Sequence, residues 1–354
     1  MGKKLTLIEL LRIVFCLFIV LHHASTLKLH MPLGNIGVEF FFMLMGYFAF
    51  KNCMARTSPI AEPMKFSVKY TLSRLLPVAP FAVAGTLLST LAYIKNIGTD
   101  WLNVISYDIL EIFQLQLPLI NTYNPDLMTL FGDVPLWFLS AMLFALPIVL
   151  FLANRYRDLF SHYLIWVIPI ILLSLFIQIL HSPFPWSVSL FHIPSGILRA
   201  ISTLMMGCTL YYTSDRIGRL YHKANHKKLI HTSCIILSII LFSYITLTSH
   251  GEIDCYFVLF IGSLYLLLAI GLSGIGIFSH RSNGIIVKLA KLTMPIYCLH
   301  WPLIKAYSAI KASDNLINQI LLVIIFCIMI SLAFYIHHRY LLSQKKKTES
   351  KSNE

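Results

Sequence analysis

Ten apolar segments govern what this chain can become. They fall at roughly 5–26, 35–53, 74–94, 134–153, 162–181, 194–213, 230–248, 255–277, 292–310 and 316–338. Each is close to the roughly 20 mostly apolar residues that a membrane-spanning helix needs. Composition agrees: the 354 residues are 57% hydrophobic and 12% charged, whereas a soluble domain carries about 25% charged residues. So little charge cannot cover a water-facing surface, which excludes a soluble enzyme, a secreted scaffold and a disordered chain. The expected fold is all-α: a polytopic integral membrane protein of about ten transmembrane helices. An even number of spans puts both termini on one side. One transmembrane domain is expected over residues 1–342, followed by a short, basic and disordered cytoplasmic tail over 343–354.

Loop charge sets the orientation. With the termini cytoplasmic, the outer loops hold only Lys28, Lys95 and Lys311, and Arg12, Arg199 and Lys305 sit at or near membrane depth. The rest of the 28 Lys and Arg residues then lie inside, as the positive-inside rule requires. The net charge of +13 is thereby a membrane-surface feature facing anionic lipid, and no nucleic-acid partner is needed. The stretch 55–74, with Arg56, Lys65, Phe66, Lys69, Tyr70 and Arg74, reads as an amphipathic segment on the inner surface. The outer loop 95–133 carries Asp100, Asp108, Glu111, Asp126 and Asp133 beside Trp101, Tyr107 and Tyr123. It reads equally as a sugar-holding surface and as a solvated loop with interfacial aromatics. Seven scattered cysteines form no CxxC pair and no Cys/His ligand spacing, so neither a disulfide framework nor a metal site is expected. The first apolar segment lacks a small-residue cleavage site and reads as a retained helix.

Ionisable residues at membrane depth are costly and point to function. Arg12 and His23 are eleven residues apart. At about 100° per residue they share one helix face, separated by about 16 Å along the axis. That face carries a fixed cation near the inner side and a titratable base toward the outer side. A snorkelling arginine and an interfacial histidine pair, His22 and His23, are the plainer alternative. Glu39 interrupts an apolar run at the outer start of the second segment and must pair or become protonated. A contact with His22 or His23 across the short connecting loop would fix the histidine's tautomer; a helix-anchoring role is the alternative. Trp137 opens the fourth segment, Arg199 lies in the sixth, and Tyr297, His300, Trp301 and Lys305 lie in the ninth.

Taken in order, these elements resemble acyltransferase family 3, whose members are integral membrane O-acyltransferases of cell-surface carbohydrates. The resemblance rests on Arg12, ten residues, then His23; on Gly37-Val38-Glu39-Phe40-Phe41-Phe42 through Gly46-Tyr47; on Arg74-Leu75-Leu76-Pro77; on Trp137-Phe138-Leu139; and on Tyr297-Cys298-Leu299-His300-Trp301-Pro302. It spans roughly residues 5–335. Two departures stand out: Met45 replaces a usual serine, and no arginine stands a few residues before Arg74, where Lys69 is the nearest cation.

The resemblance implies transfer of an acyl group, most simply acetyl, from cytoplasmic acyl-CoA to a hydroxyl of a cell-surface polysaccharide or its lipid-linked precursor, in a bacterial plasma membrane. Acetyl-CoA would be a co-substrate, with no bound cofactor and no metal. Arg12, Arg74 and Lys69 would hold the donor. His23 would be the base or a transient acyl carrier, oriented by Glu39. Trp137, Tyr297 and His300 would line the acceptor path. The rival reading is an exporter of a polysaccharide or lipid-linked sugar, since intramembrane charges also mark proton relays; such folds show repeat symmetry between halves, and none is visible in the sequence.

Overall fold

The computed structural model describes residues 5–23, 33–56, 60–92, 101–118, 132–182, 184–247, 255–275 and 284–309. These are almost entirely helical. The main helices are α1 (Thr6–His23), α2 (Leu33–Met54), α3 (Pro63–Leu75), α4 (Ala79–Ala92), α5 (Trp101–Ile112) and α6 (Trp137–Arg155). They continue with α7 (Ile165–Leu180), α8 (Ser195–Lys223), α9 (Lys227–Leu247), α10 (Cys255–Leu272), α11 (Gly284–Lys291) and α12 (Thr293–Ala309). A two-residue hairpin, β1 (Ser189–Leu190) with β2 (Ile193–Pro194), leads into α8. Five helical segments are long and apolar enough to cross a membrane: Thr6–His23, Gly34–Met54, Val134–Arg155, Arg157–Leu180 and Lys227–Thr246. α3 and α4 together make a sixth if their 57° bend falls within one span.

The protein is therefore an all-α membrane protein, although the ten-span count itself is not established. The tenth expected segment, 316–338, and the tail 343–354 lie outside the described residues. Other expectations shift at their edges. The third segment breaks around Pro77, where the ring denies the helix a donor and crowds the preceding turn, so α3 and α4 are separate helices. The outer loop 95–133 contains a helix, α5, where only a loop was expected; its Val104, Tyr107, Asp108 and Glu111 are buried, one helical face.

α8 is the hub. It packs against α2, α6, α7 and α10 and buries a face of small and polar residues, among them Ser195, Gly196, Ser202, Thr203 and Gly207. That polar content lowers its hydropathy, although its N-terminal half is largely enclosed by neighbouring helices. Two glycines explain how closely α2 and α8 approach. A Cβ on Gly46 would collide with the Leu204 carbonyl, and one on Gly207 with the Met43 carbonyl. Cys208 Sγ donates to the Gly46 carbonyl at 3.7 Å across the same seam. Small residues at membrane helix crossings allow such backbone contact. α1 packs antiparallel on α2, with Gly34 against the His22 ring and Gly37 against Phe15 and Ile19. α12 packs against α4 and α1, which brings the C-terminal end of α1 against the middle of α12.

Candidate functional site

His23, at the C-terminal end of α1, sits in a cluster of rings. Its centroid lies 5.2 Å from that of His300, 5.0 Å from that of Trp301 and 5.1 Å from that of His22. His300 is fully buried. Its Nδ1 lies 2.7 Å from the Tyr297 carbonyl and 3.2 Å from the Ile296 carbonyl. Carbonyls only accept, so Nδ1 carries the proton and Nε2 holds the lone pair. Nε2 has no hydrogen-bond partner among the described residues. Tyr297 is pinned in turn: its hydroxyl donates to the Pro135 carbonyl, and its ring meets Phe138 edge-on at 5.4 Å. The α12 segment carrying His300 is thus fixed against the start of α6. Of the residues expected on the acceptor path, His300 reaches His23, and Tyr297 lies behind it, its ring centroid 5.9 Å from that of His300.

Trp137 does not; it belongs to a second group around Arg199. The Arg199 guanidinium lies 5.1 Å from the Trp137 ring and 5.1 Å from the Phe184 ring, and Trp137 stacks on Trp186 at 5.9 Å. Arg199 Nε donates to Glu39 Oε1 at 2.5 Å, and the Thr203 hydroxyl donates to Glu39 Oε2. The arginine's other nitrogens donate to the carbonyls of Phe184 at 2.9 Å and Asn35 at 3.5 Å.

This corrects the expected Glu39–histidine contact. Gly34 is the residue that packs on His22. Glu39 lies five residues further along α2, roughly 7.5 Å deeper at 1.5 Å per residue, and turns toward α8. Its charge is neutralised by Arg199, so Glu39 does not orient His23. The sequence signal was present: two opposite intramembrane charges, Glu39 and Arg199, each without a local partner.

The expected donor residues divide between two helices. Arg12 Nη1 donates to Glu9 Oε2 at 3.1 Å, one turn earlier on α1. Arg74 lies 4.8 Å over the Tyr70 ring and donates to its hydroxyl at 3.4 Å. Lys69 and Arg74 are exposed on α3, which packs against α6. Arg56, over the Phe66 ring at 4.4 Å, and Arg157, donating to the Arg56 and Met54 carbonyls, add to this basic surface.

A third group was not assembled from the sequence. The Gly132 carbonyl accepts from Ser89 Oγ at 3.1 Å, Trp301 Nε1 at 3.2 Å and Lys305 Nζ at 3.2 Å. The Asp133 backbone N–H donates to Glu111 Oε2 at 3.1 Å. Both carboxylates are fully buried. Asp133 Oδ1 and Oδ2 and Glu111 Oε1 have no hydrogen-bond partner among the described residues. Burial is the main cause of their shifts; the charge of Glu111 adds to it at Asp133 and that of Asp108 at Glu111, and together these outweigh the Asp133 N–H, Thr86 and Lys305, which favour the charged forms. Glu111 is raised to about 7 and Asp133 is raised well above the usual carboxylate range. Gly85 makes room for this group, because a Cβ there would collide with Asp133 Oδ2 and the Cys298 carbonyl.

The comparison with protein families decides the class. A family model described as an acyltransferase domain, the acyltransferase 3 family, matches residues 6–338. The chain belongs to this family. The match covers all three groups above. No curated protein and no solved structure matches the chain. Family membership makes the protein an acyltransferase, and its apolar helices make it a membrane one.

Proposed function

We propose that this acyltransferase moves an acyl group, acetyl in the simplest case, from cytoplasmic acyl-CoA to a hydroxyl of a cell-surface polysaccharide or its lipid-linked precursor, in a bacterial plasma membrane (class EC 2.3.1.-). In the overall reaction the acyl C–S bond breaks, an ester C–O bond forms, and the hydroxyl proton ends on the CoA thiol. His23 is the proposed catalytic residue, as base toward the hydroxyl or as transient acyl carrier.

The observation that carries this reading is the placement of His23. It is half-buried at the end of α1, walled by Trp301 and His300, in a chain whose match to an acyltransferase family starts with that helix. Arg12 on α1 and the exposed Arg74 and Lys69 on α3 suit the phosphates of CoA, since guanidinium groups bind phosphate bidentately and ammonium groups bind it as point charges. Arg12 lies about 16 Å from His23 along the helix, a length that an extended thiol arm can bridge. His300, next to His23, and Tyr297 behind it suit the acceptor side.

The test uses membranes from cells that make the native glycan, supplied with radiolabelled acetyl-CoA. Label entering the glycan as an alkali-labile ester, and lost in His23→Ala at equal protein abundance, supports the reading. No transfer by the wild type from acetyl-CoA or succinyl-CoA contradicts it.

A further inference from the structure

His23 needs something to fix which of its nitrogens carries the proton, because a histidine acting as base or nucleophile works through the nitrogen that holds the lone pair. Carboxylates often do this work, but Glu39 is committed to Arg199 and Thr203. The other described groups around the cluster are also occupied. Lys305 is on the Gly132 carbonyl and over the Trp301 ring. The Tyr297 hydroxyl is on the Pro135 carbonyl. Cys16 Sγ, on the same helix as His23, is on the Thr293 carbonyl at 3.2 Å. His22 is exposed and lies against Gly34.

His300 differs from all of these. Its Nδ1 proton is spent on two backbone carbonyls, so its tautomer is set by the helix itself. Nε2 is then an obligate acceptor, buried and without a partner among the described residues. A buried acceptor left unmade costs about 1–3 kcal/mol, and a membrane interior offers little water to fill it. The centroid separation from His23 is 5.2 Å. A hydrogen bond of about 2.9 Å plus one imidazole radius at each end spans nearly this distance, so a modest ring rotation aligns the pair.

We infer that His300 is the positioning residue of His23: its Nε2 accepts the His23 ring N–H and leaves the other His23 nitrogen free for the chemistry. This rests on the proposed function, with His23 at its centre. When His23 takes the hydroxyl proton, its far N–H is shared with His300 Nε2, and the pair holds one extra proton. That proton passes to the CoA sulfur as the thiol leaves, so no further donor or acceptor is required. If His23 is instead acylated, the thioester C–S bond breaks as the acyl C–N bond forms, and the same N–H passes to His300 Nε2 and on to the CoA thiolate; when the hydroxyl then attacks, the C–N bond breaks, the ester C–O bond forms and the hydroxyl proton returns by the same route to the His23 nitrogen.

The test measures initial rates of acetyl transfer from acetyl-CoA into glycan in isolated membranes, between pH 5.5 and 8.5, for the full chain. His300→Gln keeps size and polarity but cannot take up a proton. The expected result is a fall in kcat of roughly tenfold or more, an unchanged KM for acetyl-CoA, and an altered acidic limb of the pH profile. Added imidazole should restore part of the rate to His300→Ala and none to His23→Ala. A His300→Gln enzyme with wild-type kcat and pH profile, beside an inactive His23→Ala, overturns the inference and leaves the acyl-transfer reading standing. A change in KM alone also overturns it. An active His23→Ala overturns the parent reading instead. His300→Gln protein of normal abundance and Tm separates a chemical defect from a folding one.

Discussion

Two buried ionic groups in this protein meet the same problem in opposite ways. In the α2–α8 seam, one carboxylate faces one guanidinium. Both Glu39 oxygens are hydrogen-bonded, three Arg199 nitrogens find acceptors, and two aromatic rings flank the guanidinium. Near the C-terminal end of α12, two carboxylates face one ammonium, and three of the four carboxylate oxygens lack a hydrogen bond among the described residues. The first group cancels its charge by pairing. The second meets part of the cost of burial by holding a proton. The difference teaches where each contributes: the Glu39–Arg199 pair is a fixed strut between the two most tightly packed helices, whereas Glu111–Asp133 ties α5 to the start of α6 in a way that depends on pH.

The largest effect should come from breaking the strut on one side only. Arg199→Ala leaves Glu39 buried and unpaired, which costs about 3–5 kcal/mol; thermal unfolding in detergent should show a large loss of Tm or no folded protein. The double variant Glu39→Leu/Arg199→Met should be less damaged than Arg199→Ala, because no charge is stranded. A double variant as damaged as the single one would make the pair a determinant of structure beyond its charge. Next in size is Gly46→Ala. The new methyl meets the Leu204 carbonyl, so the seam must open, at about 1–3 kcal/mol, also read from Tm.

The carboxylate pair should give a smaller, pH-dependent effect of definite sign. Glu111 is raised from 4.5 to about 7 in the folded protein, so the folded state binds more protons than the unfolded state between these values. Its contribution is fully present below about 4.5 and is lost as pH rises through about 7. Tm should therefore decline across this window. Glu111→Gln, which keeps an acceptor for the Asp133 N–H but has no proton to lose, should flatten that decline. A wild-type Tm independent of pH from 5 to 8 would place this group in the same class as the strut.

The contrast also shows what could be read from one dimension. Helix positions follow from apolar runs, and α1, α2, α6 and α12 lie within a few residues of where hydrophobicity places them. Helix α5 was missed because its buried face carries Tyr107, Asp108 and Glu111, and polar residues mask an amphipathic pattern. The site was half legible. Spacing on α1 puts Arg12 and His23 on one face, but partners across helices depend on packing. Glu39 faces Arg199 because Gly46 and Gly207 bring α2 and α8 together, and no local pattern records that approach. His300 was legible as a residue, while its free nitrogen was not, since the carbonyls that fix its tautomer become visible only in the folded helix.

The central claim is that His23 is the centre of acyl transfer to a surface glycan. The most direct measurement is the O-acyl ester content of the native glycan, by NMR, in a deletion strain complemented with wild type or His23→Ala at matched membrane abundance. The account predicts ester restored by wild type and absent with His23→Ala, with the shifted sugar protons naming the acylated hydroxyl. Ester content unchanged by the deletion, accompanied by loss of surface polymer, would contradict it and favour export instead.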